Sequence, residues 1–398
     1  MAVSLESAVK LAVERAPLLG EEVVPLQKAA GRILTQNICA AVVQPPFDRS
    51  PLDGYAVIAA DTCGADADRP VHLKVVDKVY AGAVSAVPVL PGQAVRLMTG
   101  SMMPAGADAV IRQEHTDEGE ETVRLFQSVP SGGNYCRRGE EYGVGDLLLS
   151  AGQQIDAAAA AVAAGAGMAR LPVRRRVRAA VICTGDEVCP PGRPLPPGKI
   201  YDANTSYLAA RLHQLGAEVT FVGAAGDDLE QMISVLHGCE SEADLILTTG
   251  GVSVGEKDLV EAAMVAHKAE VVFHGIDIKP GMPTLFAAKG EKLFLGLSGN
   301  PFAAAVPFEL LIHPLIARMT GNASLEMRRG RARAANSLHK RGPTRRFLRA
   351  HCRNGVVSIP AEQSNGQMRS MIGCNCLVEL PSGRGQIERG EMVDIIWL

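Results

Sequence analysis

An open, mostly parallel α/β sheet joined to separate β-rich domains is the architecture this sequence predicts, and three observations predict it. From Arg178 to about Met319, apolar runs ending in glycine alternate with amphipathic stretches, the pattern of βαβ units with helices on both sheet faces. Short apolar runs punctuated by Pro and Gly fill residues 45–141 and return after residue 326. The chain has 398 residues and 41.9 kDa, more than one hydrophobic core usually organises.

The elements follow in order. An N-terminal helix is predicted over Ser4 to Arg15. Strand-like pieces come next (YAVIAAD, VHLKVVDKVYAG, QAVRLMTG, DAVIRQEHT), then an alanine-rich helix after Gln153. The two helices flank the β pieces, which predicts a β domain inserted into a discontinuous helical one. VRAAVICTG reads as a buried strand, and Asn204 is placed to cap the helix TSYLAARLHQLG. EVTFVGAAGDD, DLILTTGG and KLFLGLSGNP read as further strands, with LEQMISVLHG and KDLVEAAMVAHKA as helices between them. From Glu326 onward, 13 Lys+Arg stand against 6 Asp+Glu, a net charge of +7 in a chain whose total is −3. This shift marks a basic, barrel-like C-terminal β domain. The expected division is 1–44 with 142–176, 45–141, 177–325 and 326–398.

Composition excludes several classes. Forty basic and 43 acidic residues, with 4% aromatics, give neither a nucleic-acid signature nor a stacking platform. The longest apolar stretch, Ala157 to Ala169, is short for a bilayer and reads as a packed helix, so no membrane partner is expected. Nine scattered cysteines without CxxC read as reduced thiols of a cytoplasmic protein. The nine histidines form no HxxxH or HExxH, and no structural metal is expected.

Four polar, glycine-punctuated segments leave predicted strand ends: TGDEV (184–188), GAAGDD (223–228), TTGGVSVGEKD (248–258) and LSGNP (297–301). The carboxyl ends of parallel strands border the ligand crevice, so all four are expected on one edge. Gly250, Gly251 and Gly255 let backbone amides approach an anion, and Thr248, Thr249 and Ser253 add hydroxyls. A plain strand-to-helix loop is the alternative. Glu256 stands where a P-loop requires lysine, and GxGxxG is absent, which excludes a standard P-loop ATPase and a Rossmann dehydrogenase. The acids Asp186, Glu187, Asp227, Asp228 and Asp258 recur beside this anion loop. Carboxylates and phosphate repel unless a hard cation bridges them, which suits Mg²⁺. Asp228 and Asp258 are also placed to cap helices. PPFDRSPLDGYAV and RLMTGSMMPAGADAVIRQE read, on spacing alone, as turn chemistry.

PPFDRSPLDGYAV, LMTGSMMPAGADAVIRQE, RRGEE, TGDEV with GKIYDANTSYL, GGVSVGEKD, IKPGMP and GLSGNP, in this order, resemble the molybdopterin molybdenumtransferases. These are the bacterial MoeA proteins and the E domain of gephyrin. The resemblance covers nearly the whole chain. It implies a four-domain homodimer whose α/β domain binds molybdopterin beside the partner's inserted β domain. It also implies Mg²⁺-assisted insertion of molybdate into adenylylated molybdopterin with release of AMP. Carried onto matching positions, it implies Asp53, Glu187, Asp227 and Asp258 as functional acids, with Thr99 contacting substrate. Gly250, Gly251 and Ser253 match the pterin- and phosphate-binding loop, and Lys279, Gly299 and Asn300 match further binding positions. Mg²⁺ is expected on Glu187, Asp227 or Asp258. Lys279 is the expected seat of the molybdate dianion, and Arg349 a second anion contact, with a solvated surface arginine as the alternative. The chain departs from the family at Met282, Ser298, Ala303 and Glu141, and the first and third departures remove a cation and a hydroxyl. Two other functions stay open: the adenylyltransferase that makes the adenylylated pterin, which lacks the two β domains, and a carrier that hands cofactor to partner proteins of the pathway.

Overall fold

The computed structural model describes residues 2–253, 258–339 and 342–398. Gly255 and Glu256 of the glycine-rich loop lie outside the described residues. Ser4 caps the first helix, α1 (Leu5–Arg15), by accepting from the Ser7 amide, and Leu5, Ala8 and Ala12 form its buried stripe.

Contact density divides the chain into two units, one comprising residues 24–30 and 36–171 and the other residues 1–23, 31–35 and 172–398. The smaller unit is built on a five-stranded sheet. Its strands are β1 (Gly54–Val57), β2 (Val71–Val79), β3 (Gln93–Leu97), β4 (Ala109–Arg112) and β5 (Thr122–Leu125), in the order β4-β1-β3-β2-β5. All its pairings are antiparallel except β2 with β3. Tyr55, Val57, Ala94, Ile111 and Leu125 pack one face, and Ala56, Val95, Leu97 and Val110 the other. Residues Ile38–Cys39 and Leu147–Leu149 pair, so the stretches flanking this sheet meet. The alanine-rich helix α2 (Ala157–Gly165) buries only Ala159 and Ala163. It packs on one side and leaves the rest of its alanines against solvent, a looser arrangement than the packed helix expected. It belongs to this unit, whereas α1 belongs to the other.

The larger unit holds the α/β layer. Strands β6 (Arg178–Thr184), β7 (Glu218–Ala225), β8 (Leu245–Thr249), β9 (Glu270–His274), β10 (Leu285–Lys289) and β11 (Lys292–Leu297) form one sheet in the order β7-β6-β8-β11-β10-β9. The first four positions pair in parallel, and the last two add antiparallel strands. Helices α3 (Asn204–Gln214), α4 (Leu229–Glu240) and α5 (Val260–Ala266) supply the crossovers. Two apolar cores cover the two sheet faces: Val181, Leu247 and Leu295 join one, and Ile182, Ile246 and Phe294 the other.

The longest helix, α6 (Pro301–Thr320), starts with proline at its first position and ends on Gly321 in the left-handed conformation. Its length and mean hydropathy of 1.4 match a membrane span, but 83% of that window is buried within the protein. It is a core helix, packed on α1 and α3. Its one buried acid, Glu309, receives both arms of Arg211 at 2.7 and 2.8 Å, the Tyr207 hydroxyl at 2.7 Å and His313 at 3.1 Å. The C-terminal strands β12 (Arg329–Ala334), β13 (Arg346–Arg353), β14 (Val356–Ser358), β15 (Cys376–Leu380) and β16 (Met392–Trp397) close into a barrel in the order β12-β14-β13-β15-β16.

Candidate active site

The four loops predicted at one sheet edge do meet there, around a cavity of about 490 Å³. Contacts tie the first loop to the second and third, and the third to the fourth. After β6, Gly185 turns at φ +117°, and a Cβ there would sit 2.4 Å from the Glu187 carboxylate, so glycine lets that acid fold back over the turn. Asp186 accepts the Asp227 amide at 3.3 Å, joining the first loop to the second. Asp228 caps α4 through the Gln231 amide at 2.8 Å. After β8, Gly250 stands at φ +97°, its missing Cβ leaving room for Thr184 Oγ1 and carbonyl oxygen at 2.6 and 2.8 Å. Its amide donates to Leu297 O at 2.9 Å, and Thr249 Oγ1 donates to Ser298 O at 3.2 Å, which joins the third loop to the fourth.

Asn204 completes this lacing. Its Nδ2 donates to Thr249 Oγ1 at 2.7 Å and to Gly299 O at 2.9 Å. This corrects its expected capping role, because Asp202 caps α3 by accepting the Thr205 amide at 3.0 Å. Asp258 likewise does not occupy the cap of α5, where Leu259 stands. Glu187, Asp227, Asp258, Gly250, Gly251, Ser253, Gly299 and Asn300 all line the cavity. Its lining thus combines glycine backbone, hydroxyls and three carboxylates.

Lys279 lines a different cavity of about 390 Å³ in the same unit, with Pro280, Phe302, Arg346, Gln363 and Ser364 among its walls. Lys279 and Arg346 meet in a parallel bridge: the Lys279 amide donates to Arg345 O at 2.8 Å, and the Phe347 amide to Lys279 O at 2.9 Å. Gly281, at φ +95°, lets this turn lie on α6, since a Cβ would meet Pro307 Cδ at 2.6 Å and Ala303 O at 2.8 Å.

Arg349 departs from both expectations for it. It has no solvent exposure, its guanidinium lies 3.7 Å from the Phe302 ring centroid, and it donates to Gln367 O, Ser370 Oγ and Ser364 O. Burial holds its pKa below the usual arginine value. Its donors hold the 364–370 segment, so it is neither a surface charge nor placed to take an anion. The arginine that lines the cavity is Arg346, three positions earlier, which sequence reading passed over. The strand register decides between the two, and RRFLRA alone does not reveal it.

In the other unit, Asp53 precedes β1 and Thr99 follows β3. Asp53 Oδ1 accepts the Thr99 amide at 2.7 Å and its hydroxyl at 2.8 Å. These two donors hold the carboxyl below its ordinary range. A built turn therefore replaces the generic turn chemistry read from spacing. Gly54 beside it is obligatory, since a Cβ would lie 2.0 Å from Ile111 O. Among the departures, Ser298 Oγ accepts the Asn300 amide at 3.2 Å, Ala303 is buried in the first turn of α6, and the Met282 side chain is 55% exposed.

A mostly parallel sheet with an acid- and glycine-lined crevice at its carboxyl edge, carried in one chain with a five-stranded β unit and a closed barrel, defines a multidomain α/β ligand-binding enzyme class. Three family models cover the chain: the MoeA N-terminal region, domains I and II, at residues 3–167; a probable molybdopterin binding domain at 180–318; and the MoeA C-terminal region, domain IV, at 331–398. A molybdopterin molybdenumtransferase of Staphylococcus aureus is 35% identical over 99% of this chain and 95% of its own. That of Bacillus subtilis is also 35% identical, over 94% and 89%. The crystal structure of a molybdopterin biosynthesis MoeA protein from Pyrococcus horikoshii superposes with a TM-score of 0.85 at 31% identity, over 100% of this chain and 99% of that one. The chain belongs to the MoeA family of molybdopterin molybdenumtransferases, enzymes of molybdenum cofactor biosynthesis.

Proposed function

We propose that this enzyme inserts molybdate into adenylylated molybdopterin and releases AMP. The observation that carries the reading is the convergence of four strand-end loops on one cavity holding amides, hydroxyls and three acids. A pyrophosphate-bearing substrate needs donors around its phosphates, and the glycine turn at 250–251 lets phosphate approach the backbone without an intervening Cβ. The oxyanion is read into the neighbouring cavity, where Lys279 and Arg346 bring two cations together for charge-assisted hydrogen bonds. Phe302 and Asn300, two residues apart at the start of α6, line the two cavities respectively.

Mg²⁺ fits the donor chemistry of the first cavity, since Glu187, Asp227 and Asp258 offer hard carboxylate oxygens. They do not make a closed protein cage: among the described residues, the one set of three His, Cys, Asp or Glu whose ligand atoms lie within 4.8 Å is elsewhere. The carboxylates would hold the ion together with substrate phosphate oxygens and water. The ion would neutralise phosphate charge, while the chain's own loops orient the phosphates and the acids set the local field.

We read the expected four-part organisation, 1–44 with 142–176, 45–141, 177–325 and 326–398, as that of a homodimer, with α1 regrouped from the first part to the unit that holds the α/β sheet. Asp53 and Thr99 of one protomer would then serve the cavity of its partner. All nine cysteines are free, which supports the cytoplasmic reading.

The test incubates the protein with adenylylated molybdopterin, molybdate and Mg²⁺. AMP and active cofactor are expected, and both fall in Glu187→Ala and Asp53→Ala. Absence of product, or variants indistinguishable from the unaltered chain, overturns the assignment. Mixing Asp53→Ala with Asp258→Ala protomers is expected to restore part of the activity, and failure to do so removes the shared-site dimer.

A further inference from the structure

We propose that His237, Glu240 and His267 form a binding site for a first-row divalent transition ion of the zinc class, remote from the loop cavity. Helix α4 begins at the carboxyl ends of the parallel strands, where Asp228 caps it, and ends at Glu240, with four residues between it and β8. His237 and Glu240, in its last turn, therefore lie at the opposite, amino edge of the sheet. His267 follows α5 and reaches the same place. One ligand atom from each of the three lies within 4.8 Å of the others.

The second, independent observation is the state of His267. Its side chain is fully buried, yet neither ring nitrogen has a hydrogen-bond partner. Nε2 does lie 3.0 Å from Glu240 Oε2, but out of line for a hydrogen bond. Buried ring nitrogens are normally satisfied, and one left aimed at a carboxylate without bonding to it calls for a bridging group. The ring is locked edge-on between His237, at 4.2 Å between centroids, and Phe294, at 5.6 Å.

Two imidazoles and a carboxylate are the donor set of an open zinc site, with water in the fourth position. The Glu240 oxygen lies 3.0 Å from His267 Nε2 and 3.9 Å from His237 Nδ1. These distances bracket the roughly 3.3 Å between ligands on a tetrahedron with bonds of about 2.05 Å. His237 is 59% exposed and supplies the entry path. Lys289 Nζ, 2.9 Å from the same Glu240 oxygen, pairs with that carboxylate in the metal-free form and is 29% exposed, so it has solvent to move into as the ion binds. The ion would clamp the end of α4 to the end of α5. No sequence spacing announces the site, because its third ligand lies 27 residues beyond Glu240.

The test titrates the chelator-stripped full chain with Co²⁺ and follows the visible spectrum. One equivalent is expected to give the intense bands of a four-coordinate ion. An all-oxygen acid site, such as the loop cavity, gives only the pale six-coordinate spectrum. His237→Ala and Glu240→Gln are expected to weaken binding by more than about tenfold, the scale set by loss of even an outer partner of a metal ligand. Lys289→Met tightens it, and His72→Ala changes nothing. His267 is a core residue, but His237 is exposed enough to replace without threatening the fold. Absence of four-coordinate bands, or bands that survive both ligand substitutions, overturns the site and leaves the cluster as an ion pair with Lys289.

Discussion

Gly250 and Gly299 both line the loop cavity, yet the structure separates what an added methyl would do at each. At Gly250 the backbone stands at φ +97°, which costs a side-chain-bearing residue about 1–3 kcal/mol. The new Cβ would also lie 2.8 Å from the Thr184 carbonyl oxygen, a backbone atom fixed in β6. β6 and β8 are adjacent parallel strands, so relief requires their ends to part and lose ladder hydrogen bonds worth about 1 kcal/mol each. Gly250→Ala therefore loses about 3 kcal/mol, or about 6–12 °C in Tm at the 2–4 °C per kcal/mol of a domain this size. At Gly299 the Cβ would meet only Gly250 Cα, at an ordinary 3.5 Å. Gly299→Ala keeps its stability and loses substrate affinity by narrowing the cavity. Calorimetric melting, with hydrogen exchange over residues 178–185 and 244–250, measures the first effect, and AMP release the second. Equal melting temperatures for the two variants would refute the steric argument.

Four further predictions concern single side chains. Burial alone would raise the Glu309 pKa, but hydrogen bonds from His313, Arg211 and Tyr207 outweigh it and hold it below the ordinary 4.5. Its stabilisation is therefore complete above pH 4.5 and is lost as pH falls through the folded value; Glu309→Gln removes that acid limb in urea titrations and costs about 3–5 kcal/mol at neutral pH by leaving Arg211 uncompensated. Asp53→Asn keeps the shape and loses the charge, so kcat/KM falls by about 100-fold in the AMP-release assay while Tm stays within about 1 °C. Arg349→Lys forfeits the stack on Phe302 and the hydrogen bonds to the 364–370 segment, with a loss of about 3 kcal/mol seen by thermal melting. Arg346→Gln weakens molybdate binding by calorimetry with a smaller change in Tm.

The parallel core was legible because its strands are short, mostly apolar runs, and the loops that follow carry the glycines and acids. The antiparallel strands β9 and β10 were not, because residues 270–289 run through apolar letters and two prolines without a clear period. Strand β5 escaped for a different reason: its four residues, TVRL, are too few to stand out. Helix α6 carries Pro307 and Pro314, which argue locally against a helix interior. Burial on nearly every side overrides that preference. Site residues on turns were readable by type, since glycine and acids declare their chemistry. Positions decided by register or by a distant partner were not: Asn204 laces two loops 45 and 95 residues away, and only the strand pairing puts Arg346 in a cavity while Arg349 lies inside.

Closure of the last five strands has a consequence for the protein's colloidal behaviour. A ring of strands offers no unpaired row of amides and carbonyls to another copy. The larger sheet, by contrast, ends on β7, where Phe221 and Val222 are 39% and 52% exposed. Under crowding or partial melting, intermolecular strand addition should start at β7, and a lysine in place of Val222 should raise the solubility limit without touching either cavity.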